Sequence, residues 1–168
     1  MERILAIDPA SRGFGFAVLE GQNRLVDWGV KDVRRNKRPE TLRKVEELTQ
    51  FYNPDAIVVE DCLHGASRRR ERVQDLIENI LDLARQNKIK VRRIPLSTVR
   101  RFFSETGDAT KHQIATTLAD RFPELALRLP RKRKPWESEH HSMSIFDATA
   151  LGLVSFYRSV PLRLPTSV

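Results

Sequence analysis

Three carboxylates, Asp8, Glu60 and Asp147, close or interrupt the most apolar segments of the chain. Desolvating a carboxylate is costly unless a partner compensates it, so three acids placed this way point to a shared cation. Their donors are all oxygen and no matching cysteine or histidine cluster accompanies them. That set favours Mg²⁺ or Mn²⁺ over Zn²⁺.

Each acid also has a plainer reading. Asp8 precedes Pro9, and Asp-Pro starts turns. Glu60 and Asp61 are adjacent, and strand alternation sends them to opposite faces, so only one can enter a common site. Asp147 could merely favour the start of a helix capped by Ser142 or Ser144. His140 and His141 lie upstream of Asp147, preceded by Glu139; on a continuous helix position 140 would share the Asp147 face. Either imidazole could bind metal, activate water or protonate a leaving oxygen, or be a solvated loop residue. Lys111 sits in the first turn of a helix, where the dipole disfavours a cation, so helix stability does not explain it.

The elements that must position these residues follow from periodicity. RILAID (3–8) is a strand, and GFGFAVLE (13–20) and RLVDWGVKDV (24–33), parted by the turn-like GQN, continue it as an antiparallel meander. Pro39 and Glu40 open a helix with a stripe of Leu42, Val45, Leu48 and Tyr52, stopped by Asn53-Pro54. AIVVED (56–61) reads as a strand buried on both faces. Val73, Leu76, Ile77, Ile80, Leu81 and Ala84 mark an amphipathic helix, and KVRRIPL a fifth strand. Ser97 can cap a short helix through Phe103, and Thr110 another through Phe122. Pro123 to Ser142 reads as a loop, and SIFDATALGLVSFY (144–157) as a helix apolar nearly all round. The order predicts an α/β fold: a five-stranded mixed sheet, three strands antiparallel and then parallel crossovers, flanked by helices. One domain is expected over 1–157, followed by an unstructured tail over 158–168.

The chain has 168 residues and a net charge of +8. Arg68 to Arg72 (RRRER) carries +3 and Arg128 to Trp136 (RLPRKRKPW) carries +5, so the remainder sums to zero. Arg68, Arg69, Arg70, Lys132, Arg133 and Lys134 are therefore candidate contacts to a nucleic-acid backbone, which they can hold without reading sequence. Trp136 could stack on a base or anchor its loop to the core. Cys62 is the only cysteine, which excludes an internal disulfide and suits a reducing compartment. No signal peptide and no run of about 20 apolar residues is found, so a cytoplasmic protein without a membrane span is expected.

An acid ending strand one, an acid ending strand four and an acid on the last helix resemble the ribonuclease H-like nucleases, and more closely the RuvC family of Holliday junction resolvases. AIDPASRGFGFAV is similar to that family's first motif, NPDAIVVED to its second, and FDATALGL to its last helix. TGDATKHQI resembles the segment that supplies a lysine near the scissile phosphate, here Lys111. Ala10 stands where the family has glycine, and Leu63 and the basic stretch after it replace an aromatic segment. Ser144 stands where the family places an acid or histidine, leaving the fourth ligand open among His140, His141 and Glu139.

The resemblance implies a metal-dependent endonuclease acting on branched DNA such as the four-way junction. Asp8, Glu60 and Asp147 would hold two Mg²⁺ or Mn²⁺ ions, Lys111 would balance phosphoryl charge, and His140 joins the catalytic candidates. It also implies a homodimer, for which the 73–84 helix offers a face that the sequence does not distinguish from core. The alternatives are an RNA-acting or transposon-associated nuclease of the same fold and a non-catalytic nucleic-acid-binding module.

Overall fold

The computed structural model describes residues 1–62, 71–106 and 108–157. Strands β1 (Arg3–Ala10), β2 (Gly13–Glu20) and β3 (Arg24–Asp32) form the expected meander. Helix α1 (Lys37–Tyr52), strand β4 (Ala56–Glu60), helix α2 (Glu71–Gln86) and strand β5 (Lys90–Ile94) follow. Helices α3 (Leu96–Phe102) and α4 (Lys111–Arg121), a 3₁₀ segment (Pro123–Arg128) and α5 (Met143–Ser155) complete the order. The sheet runs β3-β2-β1-β4-β5, with β1 antiparallel to β2 and parallel to β4, and β4 parallel to β5.

Alternation along the central strands builds two cores. Ile4, Ala6, Ala56 and Val58 face α3, α4 and α5, whereas Leu5, Ile7, Ile57 and Val59 face α1 and α2. Both faces are covered, which is why β1 and β4 read as unbroken apolar runs. Helix α5 lies across the sheet, and its hydroxyls are satisfied within the helix: Thr149 donates to Ile145 O (2.7 Å) and Ser155 to Gly152 O (2.7 Å).

Close approach of α5 to the sheet depends on two glycines. A Cβ on Gly152 would lie 2.7 Å from Leu19 and 3.1 Å from Ile4. One on Gly15 would lie 2.2 Å from the carbonyl oxygen of Ser144. Gly15 pairs with Asp8 across the β1–β2 ladder. The same contact therefore seats the start of α5 over the strand pair that carries Asp8.

Several local expectations change. Helix α1 begins at Lys37 rather than at Pro39, with Asn36 in the left-handed region as its N-cap. Ser97 is not the N-cap: α3 starts at Leu96, with Pro95 as N-cap at the extended ψ of 141° and its carbonyl accepting from Thr98 N and Val99 N (3.0 and 3.2 Å). The stretch 123–142 opens with the 3₁₀ segment, which buries Leu125 completely, and is irregular only from there to the start of α5. The α2 stripe is core: Ile77, Ile80, Leu81 and Ala84 are at most 1% exposed. Val73 and Leu76, at the start of the same stripe, are only partly buried. The residues after 157 and Arg68, Arg69 and Arg70 lie outside the described residues. Among the described residues no helix is long and apolar enough to cross a membrane.

Candidate active site

Asp8 and Glu60 each stand two residues beyond the Ala6–Val58 pair of the parallel β1–β4 ladder, at the carboxyl ends of adjacent strands. Even positions on both strands face α5, so the two side chains emerge on one side of the sheet. They are 4% and 7% exposed, as deep as neighbouring core residues. Asp61 belongs to the other direction and does not line the cleft. Glu60 Oε2 accepts from the Cys62 thiol at 3.1 Å.

Asp147 comes from the second turn of α5 and faces this pair across a cleft of about 650 Å³. Its position beyond the first turn removes the simple helix-dipole reading, and Ser142, the N-cap, makes no side-chain cap bond. Ser144 also lines the cleft, but its hydroxyl donates to His141 O at 2.9 Å and its backbone packs over Gly15.

Lys111 closes the cleft. A capping box fixes it at the first position of α4: Thr110 Oγ1 accepts from Gln113 N–H (3.2 Å) and Gln113 Oε1 from Thr110 N–H (2.8 Å). Its ammonium reaches Asp147 Oδ2 at 3.1 Å and both oxygens of Glu139 at 3.0 Å. Burial pulls the Lys111 pKa down, but Asp147, Glu139 and Asp8 outweigh burial and raise it above the ordinary lysine range. The cation stays charged at any physiological pH, and the carboxylates compensate what the helix dipole opposes.

His140 and His141 both line the cleft, with ring centroids 4.4 Å apart. They do so from irregular chain before α5, so the helical continuity that would have set His140 on the Asp147 face is absent. His140 Nδ1 lies 2.7 Å from Ser142 Oγ, which itself donates to Arg128 O at 3.0 Å, and 3.2 Å from Ser142 N, so this side of the ring is held by the chain. Arg100 of α3, which the sequence reading passed over, also lines the cleft. Its Arg-Arg-Phe-Phe setting offered no signal beyond charge.

A groove of about 1150 Å³ continues from this cleft, sharing Arg100, Lys111, Glu139 and His140 with it. Arg131, Lys132 and Arg133 line its far part. Glu137 folds that loop: it pairs with Arg131 (2.5 Å) and accepts from Lys134 N–H (2.9 Å). Lys134 Nζ lies 5.4 Å from the Trp136 ring centroid, and Trp136 is 78% exposed. The ring therefore does not anchor the loop to the core.

The donor chemistry suits a hard divalent ion: carboxylates of Asp8, Glu60, Asp147 and Glu139 border one cleft, and three of them, Asp147, Glu139 and Asp8, already compensate one cation. Among the described residues no three acid, histidine or cysteine side chains form a ready-made metal cage, and the Lys111 ammonium draws on two of the acids instead. The residues fit a metal by charge and ligand type.

No protein-family model and no curated protein matches the chain. Solved structures do. Thermus thermophilus RuvC aligns with a TM-score of 0.68 at 20% identity, over 92% of this chain and 94% of that one. The fold is RuvC-like. The same protein in complex with Holliday junction substrate aligns at 0.67 and 18% identity, over 94% of each chain. The yeast mitochondrial Holliday junction resolvase Ydc2 aligns at 0.59 and 18% identity, over 92% of this chain and 78% of that one. The RuvC-like fold accounts for the mixed sheet and the placement of α5 across it.

Proposed function

We propose that the protein is a divalent-metal-dependent endonuclease that cuts branched DNA at four-way junctions. The observation that carries this reading is the meeting of Asp8, Glu60 and Asp147, from three distant segments, around one cleft closed by Lys111. The RuvC-like fold supports it, since the aligned structures include a RuvC bound to Holliday junction substrate and a mitochondrial Holliday junction resolvase.

Asp8, Glu60 and Asp147 would hold Mg²⁺ or Mn²⁺, with Glu139 a further carboxylate lining the same cleft. Held there, two such ions would provide the chemistry of activating a water and offsetting charge on the leaving 3′ oxygen. Lys111, fixed by its capping box and permanently charged, places a positive group where negative charge grows on the phosphoryl oxygens. His140, which lines the cleft, is the imidazole placed to give or take a proton there. Arg100 adds a second cation on the groove side. Glu60 and Asp8, almost removed from water, keep the reacting region in a low-dielectric wall where these charges act strongly.

The test is incubation of end-labelled four-way junction, linear duplex, single strand and RNA with the protein, with Mg²⁺, Mn²⁺ or EDTA. Metal-dependent nicking of the junction is expected. Cleavage confined to RNA would favour the RNA-acting nuclease, and binding without cleavage in either metal would favour a non-catalytic module.

A further inference from the structure

The chain carries a basic surface that neither of the two arginine- and lysine-rich runs includes. The β1–β2 turn and the connection from β3 to α1 are tied together: Val33 N–H donates to Arg12 O at 2.8 Å, and Lys37 Nζ to Ser11 O at 3.0 Å. Gly13, at φ 136°, lets them meet, because a Cβ there would lie 1.9 Å from Lys31 O. Arg12, Arg34, Arg35, Lys37 and Arg38 are thereby gathered on one rim, all exposed. None of the five has a carboxylate partner among the described residues. Asp32 is the one acid between positions 31 and 39. Glu40 is occupied by Arg43 at 2.9 Å.

The local energetics oppose this arrangement in the free protein. Lys37 and Arg38 are the first two residues of α1, whose N-terminus has no side-chain cap. Cations there oppose the helix dipole, and five unpaired cations on one rim repel each other. A polyanion would relieve both costs. The rim also borders the candidate active site, because Ser11, which Lys37 holds, lines the cleft beside Asp8. The Arg131–Arg133 groove opens from the cleft along different residues, Arg100, Lys111, Glu139 and His140.

We propose that Arg12, Arg34, Arg35, Lys37 and Arg38 form a second backbone-binding surface that grips the duplex arm adjoining the scissile strand. The ligand class is double-helical DNA, held through phosphates and without base readout. This inference rests on the nuclease reading of the cleft. It adds that a strand seated there is clamped from two separate basic surfaces.

The test is fluorescence anisotropy with labelled four-way junction and linear duplex across a salt series in EDTA, so that binding is read without cleavage. R12A/R34A/R35A alters no helical residue, and K37A/R38A alters only the start of α1; circular dichroism confirms that each is folded. Neutralising three phosphate contacts should lower the slope of log affinity against log salt by about 3, at roughly 0.9 per contact on duplex DNA. K37A/R38A should lower it by about 2. Slopes and affinities equal to wild type in both variants would overturn the proposal, as would a wild-type protein with no affinity for either DNA. Weaker binding by both variants, from a wild type that binds DNA but never cuts it, would uphold this surface and sink the nuclease reading instead.

Discussion

At the scale of single residues, the site is a problem in charge compensation. Asp8 and Glu60 are buried at strand ends where apolar residues would pack more cheaply, and Lys111 occupies a helix start that repels it. Asp147, Glu139 and Asp8 offset the cost at Lys111, and a bound cation would offset the cost at the acids. Asp8→Asn and Asp147→Asn should each lower junction cleavage by about two orders of magnitude or more, because each removes a charge used in the transition state. Binding to junction DNA should be unchanged or tighter, since a repulsive carboxylate is gone. Quantitative gel cleavage at saturating metal, with anisotropy for binding, checks both halves; near-wild-type cleavage by either variant would remove that residue from the site. These acids were legible because a carboxylate in an apolar run is expensive wherever it folds. Strand alternation said only that one of Glu60 and Asp61 could enter the cleft, and the likeness of the second motif favoured Glu60. Arg100 was not, because a cation on a short helix looks the same whether it faces solvent or a cleft.

At the scale of elements, the site exists because α5 can lie close enough to β1 and β2 for Asp147 to face Asp8. Gly15 is the hinge of that argument. Its absent side chain makes room for Ser144, three residues before Asp147, directly beside the strand position paired with Asp8. Gly15→Ala should cost about 1–3 kcal/mol of stability from overpacking, and it should lower cleavage further than the loss of folded protein explains. Denaturant melts paired with turnover per folded molecule separate the two, and full specific activity would show that α5 tolerates displacement. The strands, α4 with its Thr110 cap and buried α5 could be read from periodicity and capping residues. The amphipathic stripe of α2 could not, since a core-facing stripe and a partner-facing stripe have the same spacing. Ser97 misled because the N-cap is Pro95, two residues earlier, whose carbonyl starts the helix and leaves serine inside its first turn.

At the scale of the whole molecule, charge summed along the chain hides charge gathered in space. The 31–38 segment carries five cations and one acid, yet the chain outside the two basic runs sums to zero because the balancing acids are distributed along other elements. With Arg12 folded beside it, the cleft has basic surface on the Ser11 rim as well as in the Arg131–Arg133 groove. Such a surface attracts any DNA; backbone charge alone does not distinguish a straight duplex from a branched one. Selectivity must come from geometry, and a protomer offers one cleft with the Asp8–Glu60–Asp147 set, whereas symmetric resolution of a junction needs two cuts. The proposal therefore requires two copies on one junction. Light scattering of the protein with junction DNA should give two 19.4 kDa chains per junction, and a supercoiled cruciform plasmid, which reabsorbs a junction nicked only once, should be linearised by paired nicks within one binding event. Linear duplex should be largely spared under the same salt and metal. One chain per junction, with nicks that accumulate independently, would refute the paired assembly, and equal cutting of linear duplex would refute junction selectivity even if every carboxylate proved catalytic.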